Sequence, residues 1–270
     1  MNPCDAAKAR TALPAAPVAD SRRMLEAFLL VDGAVRLLIW SGAVVLTCLA
    51  FRGLGLWPRA ASGPLAEPAW TWLIWISAWI ALFNLVYVGI LVLLRLLIPT
   101  PREGEYPLVC RGAVDRQVLW QCLLAILTKA RHQAPFPGFL VHTVASLPPL
   151  RGLVDHTLGP RSRSCNVVDP LIMDPHLVTI GRNVVIGYGA VFTAHVQGRD
   201  TLALRRIVVE DDVVIGGTAQ ILAGARIGAG AVIGAGAIVL PGTVVGANEF
   251  WAGVPAKKIR DLPPRTAQPA

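Results

Sequence analysis

One histidine stands outside the pattern that surrounds it. From about Ile180 the chain advances in steps of six. An aliphatic or bulky apolar residue recurs at Ile180, Ile186 and Phe192, then again at Val209, Ile215, Ile221, Ile227, Ile233, Val239, Val245 and Trp251. The pattern breaks once, over residues 193–206, and His195 opens the break. An imidazole with an ordinary pKa of about 6.5 is largely neutral near pH 7 and can accept a proton. Excursions from rigid scaffolds are common places for function; the alternative is a polar loop residue with no chemical part.

Other chemistries find fewer residues. The five cysteines (Cys4, Cys48, Cys110, Cys122 and Cys165) are odd in number and widely spaced, without a C-x-x-C. They read as inert thiols in a reducing compartment, not as a disulfide framework or a zinc site. Only His176 and His195 fall in the repeat, too few for a three-histidine metal site, so no metal is expected. No Ser-His-Asp or G-x-S-x-G arrangement is visible. The glycines of Gly181 to Gly189 follow the repeat with no helical pattern after them, which excludes a phosphate loop.

The element that positions His195 is written in the period itself. Glycine follows the apolar residue at Gly181, Gly187, Gly216, Gly228, Gly234 and Gly246. A small residue takes the fifth place at Val184, Ala190, Val213, Ala219, Ala225, Ala231 and Ala237. Neither a helix nor an alternating strand produces this pattern; a parallel β-helix does. Each step then forms one short strand and one corner, with the aliphatic inward and glycine easing the corner dihedrals. Several coils must stack, because one cannot bury its own core. The break must project at a corner.

The rest of the chain points to a membrane. Hydrophobic residues make up 54% and charged ones only 16%, with a mean hydropathy of +0.56. Soluble domains carry about 25% charged residues. Trp70 to Leu94 contains no charge, longer than the roughly 20 residues a span requires. Trp70, Trp72 and Trp75 suit an interfacial belt at one end, and Arg95 closes the other. A first segment is uncharged only from Leu37 to Phe51; reaching back to Leu25 includes Asp32 and Arg36. These two sit at i, i+4 and read as a self-compensating pair near the headgroups or as a buried polar site. Lys8, Arg10, Arg22 and Arg23 on one flank, and Arg95, Arg102, Arg111 and Arg116 on the other, place both termini in the cytoplasm, although the intervening loop carries Arg52 and Arg59. The net charge of +8 is scattered without any nucleic-acid-binding motif, so no nucleic-acid partner is expected.

Asp115 to Arg131 predicts an amphipathic helix, with Leu119, Trp120, Leu123, Ile126 and Leu127 apolar and Arg116, Gln117, Gln121 and Lys129 polar. It would lie on the membrane surface or pack under the next domain. Prolines at 135, 137, 148, 149 and 160 preclude a long helix after it. The expected organisation is a disordered N-terminus (1–20) that is no signal peptide, two transmembrane helices (21–100), an interfacial linker with the amphipathic helix (101–165), the β-helix (166–261) and a tail (262–270).

The last stretch, Trp251-Ala-Gly-Val-Pro-Ala-Lys-Lys-Ile-Arg260, resembles the A-G-x-P-A-[KR]-x-I-R ending of the sugar and maltose/galactoside acetyltransferases. These belong to the hexapeptide-repeat acyltransferases, and the resemblance covers roughly Val167 to Asp261. It implies a mainly β fold with a left-handed parallel β-helix, the hand coming from the family and not from the period. It implies that His195 is the catalytic base, since Thr193-Ala194-His195 matches the family's Thr-Gly-His with Ala in place of Gly. Acetyl-CoA is the implied co-substrate, with no permanently bound cofactor. Lys257 and Arg260 would lie near its phosphates, and Gly217 and Ala235 would line the pantetheine groove. Pro241 stands where many relatives have Lys. Asn166, Asp169 and Asp174 are candidates for binding the acceptor or for shaping the first coil. Relatives form homotrimers with the active site between prisms.

A looser resemblance rests on Glu103-Gly-Glu-Tyr-Pro-Leu108 and Asp174-Pro-His-Leu-Val-Thr-Ile-Gly181, after two spans. It is similar to the membrane-embedded C-terminal parts of poly-lysine-synthetase-like peptide synthetases. The expected protein is an inner-membrane, multi-pass acyltransferase with its catalytic domain in the cytoplasm. Its acceptor would be a hydroxyl or amine of a membrane-associated glycan or lipid-linked molecule. The alternatives are a non-enzymatic trimeric membrane scaffold, or a transferase using carrier-protein-bound or aminoacyl substrates.

Overall fold

The computed structural model describes residues 18–56, 69–110, 113–132, 147–167 and 170–263. The chain resolves into two compact units, one formed chiefly by Pro99–Ala125 and Leu158 onward, the other by Ala19–Ile98 and Ile126–Thr157.

The second unit is helical. Helices α1 (Val18–Gly53) and α2 (Ala69–Leu97) contain Glu26–Gly53 and Trp70–Leu97, each long and apolar enough to cross a bilayer. Only 22% and 33% of their most apolar windows are buried, whereas the core helix of a soluble protein is mostly covered. Helix α1 already begins at Val18, so the expected disordered segment can reach no further than residue 17; residues 1–17 lie outside the described ones. The Asp32–Arg36 pair forms at 3.1 Å, which lets the helix continue through two charges. Lys129 joins the pair at 2.9 Å from Asp32, a partner that spacing along one helix could not reveal. Two other buried polar side chains donate within their own helix, Thr47 to the carbonyl of Ala43 and Asn84 Nδ2 to that of Ile80. Helix α3 (Arg116–His132) is the predicted amphipathic helix; its residues from Ile126 belong to this unit. A short helix, α4 (Pro148–Leu158), starts on Pro148 and Pro149, where a missing N–H costs nothing. The prolines limit its length, as expected, but two of them also open it.

The first unit is the β-helix. Val208 pairs in parallel with Arg226, and Val214 with Val232, each 18 residues on, so three six-residue steps complete one coil. One face stacks the first half of β6 (Val178–Ile186), β10 (Ile207–Val209), β13 (Arg226–Ile227) and β16 (Val244–Val245). A second stacks the other half of β6 with β11 (Val214–Ile215), β14 (Val232–Ile233) and β17 (Glu249–Ala252). The third stacks β5 (Leu171–Ile172), β7 (Val191–Thr193), β12 (Gln220–Leu222) and β15 (Ile238–Val239). The inward residues from Ile180 to Val245 and every small fifth-place residue are buried, as the repeat predicts. Trp251 is the exception. Its indole is half-exposed and donates to Glu249.

The glycines after the inward residues do a different job from the one expected of them. The left-handed corner position falls two residues later, at Asn183, Gly189, Asp212, Thr218, Gly224, Gly230, Gly236, Gly242 and Asn248, with φ of 54° to 78°. The earlier glycines are required by close approach: a Cβ on Gly216 would stand 2.4 Å from the amide nitrogen of Ala235 on the next coil. The helix also begins one coil sooner than the repeat announces. Strand β4 (Arg161–Val167) pairs in parallel with β6, although its sequence, RSRSCNV, carries no apolar six-residue mark.

Strand β18 (Lys257–Asp261) folds back antiparallel on β17 and closes the open end. Glu249 anchors this closure by accepting from Lys258, Trp251 and the Gly246 amide at 2.7 to 2.8 Å. Those donors, the Lys258 ammonium first, hold its carboxyl down to about 2, against an ordinary value near 4.5. A depressed carboxyl contributes stability above its unfolded pKa and loses it as pH falls toward the folded one. Glu249→Gln is therefore expected to lower the thermal midpoint at neutral pH, with the difference from the parent narrowing between about pH 4.5 and pH 2. Melts of both proteins across that range provide the check; a constant gap would show that the charge is not involved.

Candidate active site

The excursion from the β-helix at residues 193–206 is a built structure. On the far side of the break Val208 pairs with Thr179, 29 residues back, so this coil is eleven residues longer than the 18-residue coil. The extra chain forms an antiparallel hairpin of β8 (His195–Gln197) and β9 (Thr201–Leu204). A third strand, β1 (Gly104–Pro107), adds to its edge from the segment expected to be linker. Glu103 clamps the hairpin's base, accepting from the Arg206 backbone N–H at 3.0 Å and its Nε at 2.8 Å. Leu202 and Leu204 are buried beneath it. Sheet pairing of this kind fixes a side chain at the start of β8 far better than a loose loop does.

That side chain is His195. Its Nδ1 donates to Asp174 Oδ2 at 2.7 Å, and the Ala194 backbone N–H donates to the same oxygen at 2.9 Å. Asp174 caps a 3-10 turn (Pro175–Leu177) one coil below the hairpin, and its side chain is wholly buried. Its other oxygen, Oδ1, accepts from Nε2 of Gln121, itself buried on α3. The His195 side chain remains 27% exposed, and because Nδ1 is engaged, Nε2 is the nitrogen left for a reactant.

The hydrogen bond to Asp174 raises the His195 pKa above its ordinary 6.5; burial pulls it down, and the Asp174 charge adds to the rise. The sign has two consequences. The imidazolium–carboxylate pair stabilises the fold below pH 6.5 and loses that contribution as pH climbs through the raised value. A base must be neutral, so any rate that depends on His195 should rise with pH along a limb centred above 6.5. Asp174→Asn is expected to move that limb to lower pH, and a pH–rate profile of the two proteins tests it. An unmoved limb would detach the titration from this pair.

Gly217 and Ala235 occupy the same corner of successive coils, and Gly217 accepts from the Gly236 amide at 2.9 Å. Continuing that edge leads to Gly253, beside Ala252, which pairs with Lys257 on β18. Lys257 and Arg260 are exposed, and the Arg260 guanidinium lies 6.0 Å from the Phe250 ring centroid. Lys258, between them, is committed to Glu249 and Asp261. The His195 hairpin leaves from a different corner, next to Gly224 of the following coil, whose amide donates to the Arg205 carbonyl. Within one chain, then, Gly217, Ala235 and Lys257 follow one edge, Arg260 stands opposite Phe250 further along β17, and His195 is on another corner. Asn166 lies on β4 opposite Val185. Asp169 falls outside the described residues. Asp174, a candidate for binding the acceptor or for shaping the first coil, is buried and bonded to His195. Gln121 escaped sequence reasoning: on the helix pattern it belonged to the solvated face, and nothing in spacing links it to a residue 53 positions later.

Residues 206–241 match the family model of the bacterial transferase hexapeptide, six repeats. A hexapeptide-repeat acetyltransferase from Vibrio cholerae, solved with acetyl coenzyme A, is 21% identical, covering 55% of this chain and 91% of its own at a TM-score of 0.39. A maltose O-acetyltransferase from Clostridium difficile is 16% identical over 55% and 90%, with a TM-score of 0.42. A galactoside acetyltransferase in complex with coenzyme A is 18% identical over 60% and 88%, with a TM-score of 0.41. No curated protein gives a significant match.

Proposed function

We propose that the protein is a membrane-anchored acyltransferase that moves an acetyl group from acetyl-CoA to a hydroxyl or amine of a membrane-associated acceptor. The observation that carries this reading is the His195–Asp174 pair at the mouth of the excursion from the repeat. The transferase family matched by residues 206–241 supports it. Neutral His195 takes the acceptor's proton at Nε2 as the acceptor oxygen or nitrogen attacks the thioester carbonyl. The tetrahedral oxyanion is stabilised by N–H donors and then collapses, breaking the C–S bond. Coenzyme A leaves as thiolate and recovers the proton from the imidazolium. Asp174 holds Nδ1–H throughout and stabilises the transient cation, a part that fits its burial better than acceptor binding does.

The donor lies along the edge of Gly217 and Ala235, where small residues leave room for the pantetheine arm, and Lys257 and Arg260 meet the phosphates. Because this edge and the His195 hairpin are on different corners, a homotrimer that seats one copy's edge beside the next copy's hairpin completes the site. Two apolar spans anchor the enzyme in the inner membrane with the β-helix in the cytoplasm. The exposed Leu119 with half-exposed Trp120 and Leu123 gives α3 an apolar strip suited to the headgroup boundary. Anchoring raises the local concentration of a lipid-linked glycan or similar acceptor.

Calorimetric titration of acetyl-CoA into the full-length protein in detergent tests the donor assignment. Saturable binding is expected, weakened about tenfold or more when Lys257 and Arg260 are both changed to Ala, since charge-assisted contacts contribute about 1.5–3 kcal/mol each. No binding by folded protein would overturn the coenzyme A assignment in favour of a carrier-protein donor or a scaffold.

A further inference from the structure

Gln121 is an awkward residue for its place. It is 4% exposed on α3, outside the repeat, and its Oε1 accepts no hydrogen bond among the described residues. A leucine or methionine would fill the same volume without leaving a buried carbonyl oxygen unsatisfied. What the amide makes is one contact, its Nε2 donating to Asp174 Oδ1. The other carboxylate oxygen is shared by the Ala194 N–H and His195 Nδ1, so a donor on Oδ1 fixes the rotation of the whole carboxyl group. A carboxylate held on both oxygens cannot swing away from the imidazole it orients.

On the proposed reading of this site, we infer that Gln121 is a positioning residue for the His195–Asp174 pair. It acts through Asp174, holding Oδ2 toward Nδ1 so that Nε2 keeps a fixed direction at the reacting centre. The segment before the β-helix thereby supplies the third member of the relay, which the repeat domain alone lacks. Helix α3 is part of the catalytic apparatus and not simply a connector.

The test uses the full-length protein in detergent and reads the geometry separately from the rate. The low-field proton NMR resonance of His195 Nδ1–H, identified by its loss in His195→Gln, reports the bond to Asp174. In Gln121→Leu and Gln121→Met this resonance is expected to broaden or vanish. The turnover number should fall about tenfold or more, with KM for acetyl-CoA and the melting temperature little changed. Gln121→Glu, whose protonated carboxyl donates to the same oxygen, should restore the resonance at low pH and lose it as that carboxyl ionises. An unchanged resonance in Gln121→Leu would overturn the inference, as would a resonance lost only in parallel with the melting temperature and never restored by Glu. Should the parent protein show no acyl transfer at all, the resonance still decides the question.

Discussion

Replacing His195 with Ala is expected to slow acyl transfer by about 10²- to 10⁴-fold while leaving acetyl-CoA affinity near that of the parent. The imidazole is part-exposed, held on a paired strand and oriented by a buried carboxylate. Its removal abolishes proton transfer from the acceptor but leaves the donor edge, on another corner of the prism, untouched. The measurement is the rate of coenzyme A thiol release by full-length protein, with a membrane lipid extract as the acceptor source, beside a calorimetric titration of the donor. Parent-like turnover in the variant would require another base. Loss of turnover together with donor binding would point to a damaged fold instead.

The largest effect on stability is expected at Phe192. This side chain is completely buried, and its strand is paired on both sides, Phe192 standing between Ile172 and Ile221 in the stack. Phe192→Ala removes the largest fully buried side chain among the described residues and should cost about 3–5 kcal/mol, combining lost transfer energy and the cavity left behind. Strands of neighbouring coils hold one another at fixed spacing, so the walls can close only partly around the void. Thermal or denaturant melts followed on the β-helix would show the loss. A change below about 1 kcal/mol would mean that the coils collapse far more readily than their pairing suggests. His195 lies three residues further on, and the variant should also loosen the hairpin.

How much of this was legible beforehand depends on the range of each interaction. The stacking requirement repeats every six residues, so it leaves a periodic trace: Ile180 to Val245 and the small fifth-place residues could be read directly. The break in that trace located His195. The Asp32–Arg36 pair was equally legible because a helix brings i and i+4 together. The glycines were legible as a pattern but misassigned in cause. Gly216 is held by the backbone of the next coil 18 residues away, which local dihedral reasoning cannot see. Strand β4 was missed because it stacks through its backbone and carries no repeated aliphatic.

The site divides along the same line. Composition and period, by themselves, determined two apolar helices, a stacked β-helix and the place where a histidine would be presented. Those features arise from solvent preference and from interactions that recur at short sequence spacing. Only the tertiary structure decided that the excursion is a hairpin braced by Gly104–Pro107, that Asp174 faces His195, and that Gln121 holds Asp174 from another helix. Each of these joins segments roughly 20 to 100 residues apart at one place in the fold. A contact made once, over such a separation, leaves no period in the chain to be read.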